Sequence, residues 1–119
     1  MKPTTEQLLY VAKARITDPD NWCKGASAFT SNGRPVGVSD PNACKWCSYG
    51  ALAYAHDVTS LEQECEAEFV NADVLLRRAA NVGGSYIEFN DRPSTTHSDV
   101  MRMFDKAIEL AYKQKEKRK

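Results

Sequence analysis

Apolar positions recur along most of this chain at helical spacing, most clearly near its end. Val100, Met103, Phe104, Ala107, Ile108 and Ala111 follow i, i+3, i+4, i+7, i+8, i+11, the stripe that an α-helix buries on one face. Thr96-x-x-Asp99 stands before it as a capping pattern. Leu8, Leu9, Ala12 and Ile16 predict a first helix over about residues 5–16, opened by the capping box Thr4-x-x-Gln7. Asp18-Pro19 stops it, because proline disfavours helical backbone in the residue before it.

Two more helices follow from the same pattern. Ser39-Asp40-Pro41 reads as a helix start, a polar cap followed by proline in the first turn. It predicts a helix to about residue 56, with Cys44, Cys47, Ala51 and Ala55 sharing a face. Thr59-x-x-Glu62 opens the next, whose stripe is Leu61, Cys65, Phe69, Ala72, Leu76, Ala79 and Ala80, and Gly83-Gly84 ends it.

Between these stand segments of a different kind. Residues 26–30 and 36–38 flank Asn32-Gly33, a hairpin-turn signal because both residues tolerate positive φ; Pro35 confines one arm to an edge. Residues 85–89 alternate imperfectly and read as a short extended segment, with Asn90-Asp91-Arg92-Pro93 as a turn. The fold expected is mostly α, with α+β as the neighbouring class. It has about four helices, a small β-hairpin after the first and a short extended segment before the last. One globular domain spans residues 1–112, and the basic residues 113–119, with no apolar partner, form a frayed tail.

Composition narrows the class. The chain has 119 residues, 42% apolar and 27% charged, which suits one globular domain and excludes overall disorder. Sixteen basic and sixteen acidic residues cancel, and a dedicated nucleic-acid binder carries a basic excess instead. The balance is uneven: residues 113–119 hold five bases and one acid, a local +4, so residues 1–112 carry −4. Asp57, Glu62, Glu64, Glu66, Glu68 and Asp73 form an acidic series without Lys or Arg among them. Glu62, Glu66 and Asp73 are therefore candidate contacts for a basic partner. No leader-like apolar stretch and no span of about 18 apolar residues is present. A soluble, cytoplasmic protein is expected, with no membrane partner and reduced thiols.

The four cysteines are Cys23, Cys44, Cys47 and Cys65. One CxxC and two single cysteines in a helical setting favour core thiols over a four-thiolate zinc site or a redox motif. No metal and no cofactor is expected. Phosphate-cradling glycine loops are absent. The richest polar segments are 21–26 and 89–97, where Trp22, Asn90, Asp91 and His97 are candidate ligand-binding residues on loops of a helical frame. The same Asn and Asp side chains equally serve the backbone as Asx turns.

Trp22-Cys23 with Gly25-Ala26, then Ala43-x-x-Trp46-Cys47-x-x-Gly50-Ala51-Leu52, then Phe89-Asn90-Asp91 ahead of a helix containing Val100, resemble a family of small bacterial and phage proteins known only as a domain of unknown function. The resemblance covers about residues 6–112 and implies a shared fold and a phage or mobile-element setting, with no activity attached. The function expected is non-enzymatic binding of a protein partner or a small polar ligand through 21–26 and 89–97. In a phage setting a host protein is the natural target. The alternative is a thiol-dependent hydrolase or transferase using Cys23 or Cys47 with His97.

Overall fold

A computed structural model describes residues 3–60, 66–81 and 85–117. The described residues are mostly helical: α1 (Thr5–Arg15), α2 (Ser48–Ser60), α3 (Glu66–Ala80), α4 (Tyr86–Asp91) and α5 (His97–Lys117), with strands β1 (Ala28–Phe29) and β2 (Lys45–Trp46) between α1 and α2. A single 3-10 turn, Pro19–Asn21, follows α1.

The strongest sequence signals form as read. Thr4 and Gln7 exchange reciprocal bonds at the start of α1, with the Gln7 carboxamide accepting from Thr4 N at 2.8 Å. Leu8, Leu9, Ala12 and Ile16 are fully buried. The Val100–Ala111 stripe of α5 is buried throughout, and it packs against both α1 and α3. Thr96 and Asp99 cap α5 reciprocally. Those bonds, first of all the one from the Thr96 backbone, hold the Asp99 carboxyl below the usual carboxylate range.

Several expectations are corrected. The second helix begins at Ser48 rather than near Asp40. Asp40 does cap a turn, accepting from Asn42 N at 2.8 Å, but the chain then extends. Cys44 N donates to the Phe29 carbonyl at 2.9 Å, and Trp46, 4% exposed, donates from its indole to Val38 O. Burying the indole outweighs the helix-start signal, and Cys44 leaves the helical face assigned to it. Likewise Thr59 lies inside α2, its hydroxyl bonded back to Ala55 O, instead of capping a new helix. Leu61, Glu62, Glu64 and Cys65, with Gly83 and Gly84, lie outside the described residues.

Residues 85–89 form no strand. Ser85 caps Ile87 N, and α4 follows, with Tyr86 and Asn90 four apart and both buried. Asn90 and Asp91 therefore end a helix rather than make the expected turn. Two anchored side chains on one helical face override the β preference of Tyr-Ile-Glu-Phe. Finally, α5 continues through Lys117, so the described part of the 113–119 tail is helical. Lys113 pairs with Glu109 at 3.0 Å and Lys115 with Glu6 at 3.7 Å. Gln114 accepts from Asn71.

The hairpin is present in a modified form. Thr30 N donates to Arg34 O and Val36 N to Ala28 O, which places Pro35 opposite Phe29. The regular ladder, however, is antiparallel β1–β2, with Ala28 opposite Trp46 and Phe29 opposite Lys45. Trp22 adds a parallel bridge to Trp46 on the outer side of β2. The result is a ribbon ordered 34–36, β1, β2, 22–23, laid on the start of α2. Ala28 and Trp46 face inward, and Phe29 and Lys45 face outward.

Gly50 sets how closely the ribbon lies on α2. A Cβ at this position would stand 1.9 Å from the Ser27 carbonyl oxygen, which also accepts from Cys47 N at 3.2 Å. The contact is with backbone, so no side-chain movement relieves it. Gly50→Ala is expected to destabilise the fold by about 3 kcal/mol in urea unfolding, the upper end of overpacking costs. An unchanged midpoint would show that the ribbon does not rest on α2 as described.

Candidate functional site

Asn90 is 0% exposed and joins three segments. Its Oδ1 accepts from the Trp22 indole Nε1 at 2.7 Å, from Ser48 Oγ at 2.7 Å and from Ser48 N at 3.1 Å. Its Nδ2 donates to Cys23 O at 3.1 Å and to Asp91 Oδ1 at 2.9 Å. Every donor and acceptor of the carboxamide is occupied. The Trp22–Cys23 segment, the start of α2 and the end of α4 are thus fastened at one buried point.

The four residues singled out from the sequence do converge. Trp22 bonds Asn90 on one side, and its ring meets the His97 ring edge-on at 5.8 Å. His97 Nε2 lies 2.7 Å from Ile16 O. A carbonyl only accepts, so Nε2 is the donor. Asp91 stands at the exposed rim, where Oδ1 also accepts from Gly25 N at 3.1 Å. Gly25 has φ +94, the left-handed backbone that turns its N–H toward Asp91. Lys24 Nζ donates to Arg92 O and lies 5.5 Å from the Trp22 ring. Trp22, Asn90 and His97 are therefore engaged in closing the fold, and Asp91 is the member facing solvent.

Two hollows flank the segment around Cys23. One, about 130 Å³, is lined by Gly25, Ala26, Ser27, Cys47, Tyr49, Ile87 and Asp91. Ile87 is 39% exposed there, an apolar wall beside a carboxylate. The other, about 260 Å³, is lined by Cys23, Phe29, Thr30, Ser31, Gly33 and Lys45. A larger cavity of about 360 Å³ lies between the start of α1, α3 and the end of α5. There Asn71 bridges Thr5 and Gln114, and Glu6 pairs with Lys115.

Burial disfavours the thiolate at Cys23 and Cys47. Burial, then the neighbouring Cys47 and Asp91, push Cys23 up from 9.0 to about 12, against a smaller lowering by Lys45. Burial likewise raises Cys47, whose sulfur accepts from Gly50 N at 3.3 Å. Cys47 is buried, as a core thiol should be, whereas Cys23 and Cys44 are only half-buried. Among the described residues no cluster of His, Cys, Asp or Glu is arranged to hold a metal; Cys65 lies outside them.

The acidic series divides. Glu62 lies outside the described residues. Glu66 is exposed, with His56 Nε2 at 4.0 Å. Asp73 is occupied within the fold, accepting from Tyr86 Oη at 2.6 Å and pairing with Arg77 at 3.5 Å. Sequence reasoning named Gly25 only within the 21–26 segment and missed Ser48 and Lys45. The exposed–buried step from Lys45 to Trp46 was the available signal for the last, hidden by reading CxxC as helical.

A family model described as a family of unknown function (DUF6197) matches residues 1–110. No curated protein matches, and no solved structure matches.

Removing the carboxamide tests the fastening. Asn90→Ala leaves the Ser48 amide and the Trp22 indole without their acceptor and is expected to cost about 2–4 kcal/mol in denaturant unfolding. Loss of under about 0.5 kcal/mol, the range of a neutral surface change, would remove Asn90 from the centre of the fold.

Proposed function

Because the chain belongs to DUF6197, a family of unknown function, we propose from its own residues that it is a non-enzymatic binding protein. Its recognition surface is the 22–27 segment together with α4 and residues 92–97, and its partner is a protein presenting a Lys or Arg side chain. One observation carries this reading: Asp91, exposed and with no cation within 4 Å among the described residues, edges a hollow with Tyr49 and Ile87 in its walls. A carboxylate at the mouth of a small, largely apolar slot complements an aliphatic stem ending in a cation. Gly25 N and Asn90 Nδ2 hold the carboxylate in place before any partner arrives, which reduces the ordering cost of binding.

The thiol-dependent alternative finds less support. A cysteine nucleophile works as thiolate and needs an electropositive, accessible setting, whereas burial raises both Cys23 and Cys47. His97 is engaged with Ile16 O and Trp22. A cytoplasmic site of action, and the phage or mobile-element context carried by the resemblance, belong to the same proposal.

The test is an NMR titration of the isotope-labelled protein with N-acetyl-arginine methylamide. Resonances of Gly25, Ala26, Tyr49, Ile87 and Asp91 are expected to shift, with millimolar affinity typical of a fragment. Asp91→Asn keeps the acceptor for Gly25 but loses the charge, and is expected to weaken binding about fivefold. Shifts elsewhere, or equal affinity for the variant, would refute the reading.

A further inference from the structure

The outward face of the ribbon carries a second hollow whose chemistry is opposite to that beside Asp91. Phe29 and Lys45 are directly paired across β1 and β2, so their side chains emerge side by side on one face. Trp22 bridges Trp46, which faces inward, so the next residue, Cys23, alternates to the outward face. The 30–33 turn curls beside this row. Gly33 at φ +84 closes it, with Gly33 N donating to Thr30 O at 3.0 Å.

The polar groups of this hollow differ in availability. The Thr30 hydroxyl is occupied, bonding Asn32 and accepting from Arg34 N. Lys45 is exposed, and no carboxylate among the described residues lies within 4 Å of its ammonium. Ser31, also exposed, lines the same hollow. Lys45, with its unneutralised ammonium, and Ser31 thus share this space of about 260 Å³ with the half-buried Phe29 and Cys23.

The geometry points to a carboxylate subsite here, taking an acid carried on a short apolar or aromatic stem, with Lys45 holding the charge and Phe29 the stem. An ammonium at the edge of an apolar floor is the arrangement that distinguishes a carboxylate from its uncharged amide. Asp91 and Lys45 both lie near enough to Cys23 to act on its thiol, in opposite senses. A binding face with one anionic and one cationic hollow thus selects partners of mixed charge and repels strongly basic or strongly acidic surfaces alike. The subsite deepens the proposed binding function but stands on Lys45 and Phe29 alone, independently of Asp91.

The same carboxylate has two possible sources, a small free acid or an acidic side chain of the protein partner, and titrations separate them. Benzoate is the probe for the first, N-acetyl-glutamate methylamide for the second, and benzamide the uncharged control. Amide shifts at residues 29–33 and 45 are expected with the carboxylates and not with benzamide, and Lys45→Met is expected to weaken the response about fivefold. Asp91→Asn is expected to leave it unchanged, so a failed Asp91 hollow and a failed Lys45 hollow read out separately. Binding of both acids assigns the subsite to an acidic side chain, and binding of benzoate alone assigns it to a free acid. No shifts, equal shifts with benzamide, or full binding by Lys45→Met would overturn it.

Discussion

A single buried carboxamide, that of Asn90, receives hydrogen bonds from the Trp22 indole and from the backbone and hydroxyl of Ser48, and returns bonds to the Cys23 carbonyl and the Asp91 carboxylate. Burying an amide in this way is favourable only when every polar atom finds a partner, since each orphan costs on the order of 1–3 kcal/mol. All of them do. The consequence is a constraint between segments distant in sequence: 22–23 cannot leave, α2 cannot start elsewhere, and α4 cannot unwind without exposing the rest. The inward Trp46, flanked by the Arg15 guanidinium at 4.4 Å and the Tyr54 ring at 5.4 Å, anchors the strand next to the 22–23 segment.

That constraint bears on function by separating what is spent from what is offered. Asn90, Trp22 and His97 close the structure, while Asp91 and Lys45, both near Cys23, are exposed to water. Both stand at the mouths of small hollows with apolar surface, and both are held on backbone fixed by the network or by the β1–β2 pairing. The binding role proposed above rests on these two charges, and burial raises the Cys23 and Cys47 thiols away from the thiolate that a cysteine nucleophile needs. The overall neutrality of the chain is thus reproduced locally at the face proposed to bind.

Legibility in the sequence followed element length. α1 and α5 were readable because two or more turns of apolar spacing and reciprocal caps agree with one another. α4, with six residues, is too short to display a period, and Tyr86, Ile87 and Phe89 favour extended backbone locally; only the distant partners of Tyr86 and Asn90 make it a helix. The two-residue strands carry no period at all. The Asp40-Pro41 signal was real but closed only a turn, since Trp46 gains more by burial beside Ala28 than a helical turn would return. Trp22, Asn90, Asp91 and His97 were singled out through the polar density of their segments. Their division into structural and exposed roles was not legible, because it depends on burial at Asn90 and on the turn at Gly25.

Hydrogen exchange tests the central constraint most directly. If Asn90 fastens the three segments as a unit, the Trp22 indole N–H and the Ser48 amide N–H exchange only through global unfolding, at the same opening free energy as the α5 core amides near Phe104. If both exchange far faster than the α5 core while that core stays protected, the carboxamide is a local contact and the binding face is not rigidly held.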